Sequence, residues 1–133
     1  MSDALAFWRR MEALDVEQMN DAERLCYVLS ALFAADVENG GFWQFFYNID
    51  APEYQEIVEG LRVIGALKTL DLLLQARAIL PDGGQGALDA ARDETLPNPS
   101  AFSEFDKQFS GEDVFERVEA YAASQGLFET PTN

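Results

Sequence analysis

The sequence predicts an all-α fold, one compact domain of six or seven helices joined by short loops, and three observations predict it. Apolar residues recur at three- and four-residue spacing through most of the chain. The alternation of apolar and polar residues that marks a half-buried strand is nowhere sustained over four to eight positions. Cap and breaker residues divide the periodic stretches into helix-sized pieces. With 133 residues and 48% hydrophobic content, the chain is long enough to bury a core as a single domain over residues 1–133. It contains no internal repeat and no low-complexity linker.

From Asp21 to Glu38, Ala22, Leu25, Cys26, Leu29, Leu32 and Phe33 form one stripe, and Asn20 with Glu23 reads as a capping box at its start. The run NGGFWQFFYN, residues 39–48, comes next. Asn39 and Gly40 suit a left-handed helix end, Gly41 a tight turn, and Phe42 onward a new helical segment. On that segment Phe42, Phe45 and Phe46 share one face while Trp43 and Tyr47 share another. Gln44 and Asn48, one turn apart, are placed to bond backbone groups freed at the turn or at the following loop.

Pro52 suits a first helical turn, and Tyr54, Ile57, Val58, Leu61 and Ile64 make the next stripe, up to Gly65. Leucines at 67, 70, 72, 73, 74 and 80 predict a helix buried on most of its circumference, hence the central one. Pro81-Asp82-Gly83-Gly84 reads as a turn, Gln85 to Glu94 as a weaker helix, and Pro97-Asn98-Pro99 as its stop. Ser100 is expected to cap a short helix with Phe102, Phe105 and Phe109 on one face. Ser110 and Asp113 open the last helix, where Val114, Phe115, Val118, Tyr121 and Ala122 face inward; Gly126 ends it, and Leu127 and Phe128 dock the tail.

Several kinds of chemistry are excluded. Without histidine there is no proton shuttle near neutral pH, no Ser-His-Asp triad and no His-containing zinc or di-iron site. Gly83-Gly84-Gln85-Gly86 lacks the strand and the third glycine of a dinucleotide fingerprint. The stretch from Asp36 to Gly41 resembles the start of a calcium loop, but the twelfth position, where a chelating Glu belongs, is Tyr47. The single Cys26 falls on an apolar face, where a thiol acts as a small hydrophobe. No catalytic residue, metal site or cofactor is expected. An enzyme built from this chain would depend on carboxylates, Tyr, Lys or Ser, none of which the spacing singles out.

Charge dominates the remaining sequence signals. Against 24 Asp and Glu stand 9 Lys and Arg, a net charge of -15. Such a surface repels nucleic acid and acidic membranes and attracts basic partners, although solubility or salt adaptation would also account for it. There is neither a basic-then-apolar leader nor an apolar run long enough to span a bilayer, so a cytoplasmic location is expected.

The run Asn39-Gly40-Gly41-Phe42-x-Gln44-Phe45-Phe46-x-Asn48, with Ile64-Gly65-Ala66 downstream, resembles the signature of a bacterial domain family named for its DNA mimic protein. In that family the pattern is close to Asn-Gly-Gly-Phe-x-Gln-Tyr/Phe-Phe-x-Asn. The resemblance implies an acidic all-helical protein. The family's namesake sets carboxylates in the place of DNA phosphates and occupies the DNA-binding surface of a transcription factor. The signature residues themselves read as organisers of the fold; mimicry would reside in acids that the motif does not specify.

Rows of like charge on helix faces are the candidates. Glu112, Glu116 and Glu119 form one; Asp89 and Asp93 form another, with Asp82 and Glu94 nearby in sequence; Glu53, Glu56 and Glu59 form a third. Residues 82–133 carry eleven acids and three bases, a net of -8, against -7 for residues 1–81, so the later part is the preferred surface. The expected partner is a basic protein surface, such as that of a DNA-binding transcription regulator, with no nucleic acid and no membrane. In the alternative reading Trp8, Trp43 or Tyr47 anchors a peptide or a second subunit, as in a homodimer, and the acidity serves solubility alone.

Overall fold

The computed structural model describes residues 3–80 and 96–128, and every regular element among them is helical. Helix α1 (Asp3–Ala13) buries Phe7 and Met11, one turn apart. After a 3-10 turn at Val16–Gln18, α2 (Asp21–Tyr27) opens with the expected capping box. The Asn20 side chain accepts from the Glu23 amide at 2.8 Å, and the Glu23 carboxylate accepts from the Asn20 amide at 3.0 Å.

The helix expected to run from Asp21 to Glu38 changes its winding midway. Val28–Ala34 is π-helical, and at its end the Ala35 amide donates to the Ser30 carbonyl, five residues back. The Ser30 hydroxyl adds a bond to the Cys26 carbonyl at 2.6 Å. This stretch is the centre of the molecule: Val28, Leu29, Phe33 and Ala34 are buried, and it packs against α2 and against three helices later in the chain.

Those three are α3 (Ala35–Asn48), α4 (Ala51–Val63) and the C-terminal helix. Asp50 and Glu53 form a second capping box ahead of α4, whose Tyr54, Ile57, Val58 and Leu61 are buried as their spacing requires. Helix α5 (Leu67–Ala78) corrects the sequence reading. It buries Leu70, Leu72 and Leu73 but leaves Leu67 64% and Leu74 42% exposed, so it is peripheral. Leucine is a strong helix former as well as a core residue, and a leucine-rich helix need not be surrounded.

The turn and helix expected over Pro81–Glu94 lie outside the described residues. A 3-10 turn at Pro99–Phe102 is capped by Asn98 rather than by Ser100: the Asn98 side chain accepts from the Ser100 amide at 3.1 Å and from its hydroxyl at 3.0 Å. The turn begins at Pro99, so Asn98 occupies the cap position and Ser100 already lies inside the element. Helix α6 (Ser103–Gln108) leads to α7 (Gly111–Ser124), where the Ser110 hydroxyl accepts from the Asp113 amide at 3.2 Å and Val114, Val118 and Ala122 are fully buried. Beyond Gly126 the tail returns to α1, with the rings of Phe128 and Phe7 5.1 Å apart.

Aromatic packing ties the halves together. Phe42 meets Phe105 and Phe109 edge-on at 6.5 and 5.8 Å, Phe46 lies 5.7 Å from Phe102, and Phe33 meets Phe45 and Phe109. Phe33, Phe42, Phe45, Phe46 and Phe102 have no exposed surface, and each contributes about 1.5–3 kcal/mol by leaving water. No helix among the described residues is long and apolar enough to cross a membrane.

Candidate partner-binding surface

The NGG run is a joint inside α3, and its special residue is not the expected one. Gly40 has φ -145° and ψ 17°, while Gly41 takes φ 76° and ψ -177°, a region open essentially to glycine alone. Asn39 and Gly40 therefore do not adopt the left-handed conformation assigned to them. Gly40 is needed for space, since a Cβ there would collide with the Gln44 side chain, and Gly41 for its backbone.

Two carboxylates hold this joint. Asp106, on α6, accepts from the Phe42 amide at 2.9 Å and so caps the helical segment that restarts after the glycines. Asp36, ahead of the joint, accepts from Gln44 Nε2 at 2.6 Å and from Asn48 Nδ2 at 3.2 Å, and Asn39 Nδ2 donates to Gln44 Oε1 at 3.3 Å. The expectation that Gln44 and Asn48 serve backbone groups is thus corrected: they bind the Asp36 side chain. Spacing alone does not pair positions 36, 44 and 48, which meet only because the chain bends between them. Asp106 offers no local signal at all.

The buried trio Phe42, Phe45 and Phe46 faces the core as read from the sequence, and the other face carries Trp43 stacked on Tyr47 at 5.3 Å and 13°, with Tyr47 38% exposed. Trp8 is occupied inside the fold. Its indole Nε1 donates to Glu119 Oε1 at 2.6 Å, and its ring packs edge-on against Phe7 and Phe115.

The acidic rows fare unequally. Glu112 and Glu116 are exposed one turn apart on α7, whereas Glu119 is half-buried and engaged by Trp8. Gly111, just before Glu112, is packed under Glu38: a Cβ at that glycine would collide with the Glu38 carboxylate, which places Glu38 against the first turn of α7. Arg117 does not neutralise the row, because its Nε binds Asp113 at 3.0 Å and its Nη1 donates to the Gly65 carbonyl at 3.1 Å. Asp82, Asp89, Asp93 and Glu94 lie outside the described residues.

The third row is spent on structure. Glu53 completes the capping box, Glu59 pairs with Arg62 at 3.2 Å, and Glu56 takes two bonds from Arg24, at 2.9 Å from Nε and 2.8 Å from Nη2. That bidentate contact lowers the Glu56 pKa from its ordinary value and raises that of Arg24. Cys26 is fully buried, and desolvation pushes its thiol up to about 12.

These features define an acidic, all-helical domain whose glycine joint is locked by its own carboxylates while others remain at the surface. A family model described as DMP19-like protein matches residues 17–125, and the chain belongs to that family. No curated protein and no solved structure matches the chain.

Proposed function

We propose that this domain is a non-enzymatic binding protein that presents carboxylates in place of DNA phosphates to the basic surface of a DNA-binding protein, such as a transcription regulator. Membership of the DMP19-like family supports the reading. The observation that carries it is the Glu112–Glu116 pair, exposed and without an ion pair among the described residues, in a chain of net charge -15. Successive carboxylates on one helix face meet several Lys and Arg of a partner together, as phosphates do. By sequence alone, Asp82, Asp89, Asp93 and Glu94 stay candidates for contact with the same kind of partner.

The experiment is capture from a host lysate at about 50 mM and about 400 mM salt, where screening of surface charge differs strongly. A DNA-binding protein held at low salt, released at high salt and displaced by duplex DNA supports mimicry. Weaker capture by an E112Q/E116Q variant would assign it to α7. Affinity indifferent to salt, or capture untouched by DNA, refutes it.

The stacked Trp43–Tyr47 pair supports a second reading, an aromatic anchor for a peptide or a second subunit. Trp43→Ala separates the two: association lost with the fold intact favours the anchor, while retained salt-sensitive binding favours the acidic face.

A further inference from the structure

A cleft of about 320 Å³ opens between α1, the 3-10 turn that follows it, the start of the π-helical stretch and α7. Trp8, Met11, Leu14, Val16, Tyr27 and Phe115 supply most of its wall, and its volume falls at the lower end of the range of ligand pockets. Ser30 and Ala31 complete it. These are small residues on the π-helical turn, a winding that recurs at functional sites. Two polar groups of the wall are already engaged, the Ser30 hydroxyl on the Cys26 carbonyl and the Trp8 indole on Glu119. What the cleft offers an occupant is chiefly apolar surface, and with Val16 exposed and Trp8, Tyr27 and Phe115 half-buried that surface reaches solvent.

The rim has the opposite character. Glu12 lines the cleft, exposed and without an ion pair among the described residues. Asp15 and Glu17, both exposed, flank Val16, and exposed Glu112 stands three residues before Phe115, a spacing that makes the two neighbours on α7. No lysine or arginine lines the cleft. Arg24, 5.7 Å from the centre of the Tyr27 ring, is held by Glu56, and Arg10 of α1 pairs with Glu23.

Charge decides between occupants. A second copy of a chain at -15 would set its own carboxylates against Glu12 and Glu112, and nucleic acid or an acidic lipid surface would be repelled in the same way. A basic protein segment is attracted. If it carries a large apolar side chain, that side chain has a cleft to enter while the lysines and arginines around it meet the rim, the arrangement of a desolvated anchor inside a charged border.

We infer that the cleft between α1 and α7 is a socket for one apolar side chain of a basic protein segment, with Glu12 and Glu112 holding the cations that flank it. The inference rests on the reading of the α7 acids as a partner surface and adds to it a contact that no DNA phosphate could make with the same partner.

The test is a fluorescence-anisotropy titration of the full chain with two labelled peptides, a short Lys/Arg segment with leucine at its centre and the same segment with alanine there, at about 50 mM and about 400 mM salt. Both should bind more weakly at high salt, while the leucine peptide keeps an advantage of about tenfold at each, as burial of the larger side chain requires. Ala31→Leu, which fills the cleft from an exposed position of its wall, should abolish that advantage and leave the alanine peptide's affinity unchanged. Val16→Ser, outside the longer helices, should reduce the advantage several-fold and keeps the test decisive if the first variant misfolds. Equal affinity for the two peptides with salt dependence intact overturns the socket and leaves the acidic face standing, whereas no salt-dependent binding of either overturns both. An advantage unchanged in both variants overturns the cleft as its seat. Self-association abolished by Ala31→Leu, with no preference between peptides, would assign the cleft to a second copy and likewise overturn the inference.

Discussion

The Asp106 carboxylate and the Phe42 amide, 64 positions apart in sequence, lie 2.9 Å from each other and close the glycine joint of α3. A helix start is usually capped from the residues just before it; here those residues are two glycines, and the cap comes from another helix. Asp106→Ala should lower the unfolding free energy by about 1–2 kcal/mol in a urea titration, and Asp106→Asn by less, since a carboxamide oxygen can accept the same bond. Equal losses would show that negative charge, not the acceptor, is what the joint needs.

Gly41→Ala should be costlier than most surface changes, by about 1–3 kcal/mol, because φ 76° with ψ -177° is strained for any side chain. The new Cβ would also stand 2.6 Å from Asp106 Oδ2 and so disturb the cap. Because both changes damage one joint, the double variant with Asp106→Ala should lose less than the two costs added together.

The acids of α7 should separate by role. Glu112→Gln with Glu116→Gln should alter stability by less than about 0.5 kcal/mol, as exposed substitutions do, while reducing the salt dependence of partner binding. Glu119→Ala should instead cost about 1 kcal/mol, because the Trp8 indole loses its acceptor. Thermal unfolding and salt-titrated binding read the two effects independently.

Acid should weaken the Arg24–Glu56 link. The folded Glu56 carboxyl titrates below its ordinary value of 4.5, so its contribution is complete above that pH and is lost as pH falls through the folded pKa. With the Glu56 side chain 40% exposed, solvent screening keeps the effect to about 0.2–1 kcal/mol. Glu56→Gln should therefore flatten the acid limb of the stability curve slightly and leave the pH 7 to 8 interval level.

Cys26 should resist thiol reagents in the native protein. A thiol pushed up to about 12 and fully buried holds almost no thiolate at pH 8, so labelling should track global unfolding and accelerate across the urea transition. Rapid labelling in buffer would show that the packing of α2 against α7 opens locally.

Most of the helical skeleton was legible because its signals are local. The Asn20 capping box, the stripe from Tyr54 to Leu61, the Ser110 cap and the Phe102, Phe105 and Phe109 face depend on residues within a few positions of one another. The features that escaped are non-local or degenerate. Asp36 and Asp106 act across a bend and across the chain, and no spacing rule links them to Gln44 or Phe42. The leucines of α5 have the right period but do not say how much of the circumference has a neighbour. Carboxylates are so frequent that Glu56, bound by Arg24, and Glu112, exposed, look alike in sequence.

The π-helical stretch from Val28 to Ala34 sets the rotational phase of α3. Each residue turns an α-helix by about 100°, so a chain one residue shorter there would carry Val37 and Asp36 about a quarter-turn round the axis. Val37 would leave the interior, and Asp36 would swing away from Gln44 and Asn48. A single deletion between Tyr27 and Ala35 would therefore mis-aim the whole amide–carboxylate clasp around the glycines, a fault that no repacking of one side chain could repair.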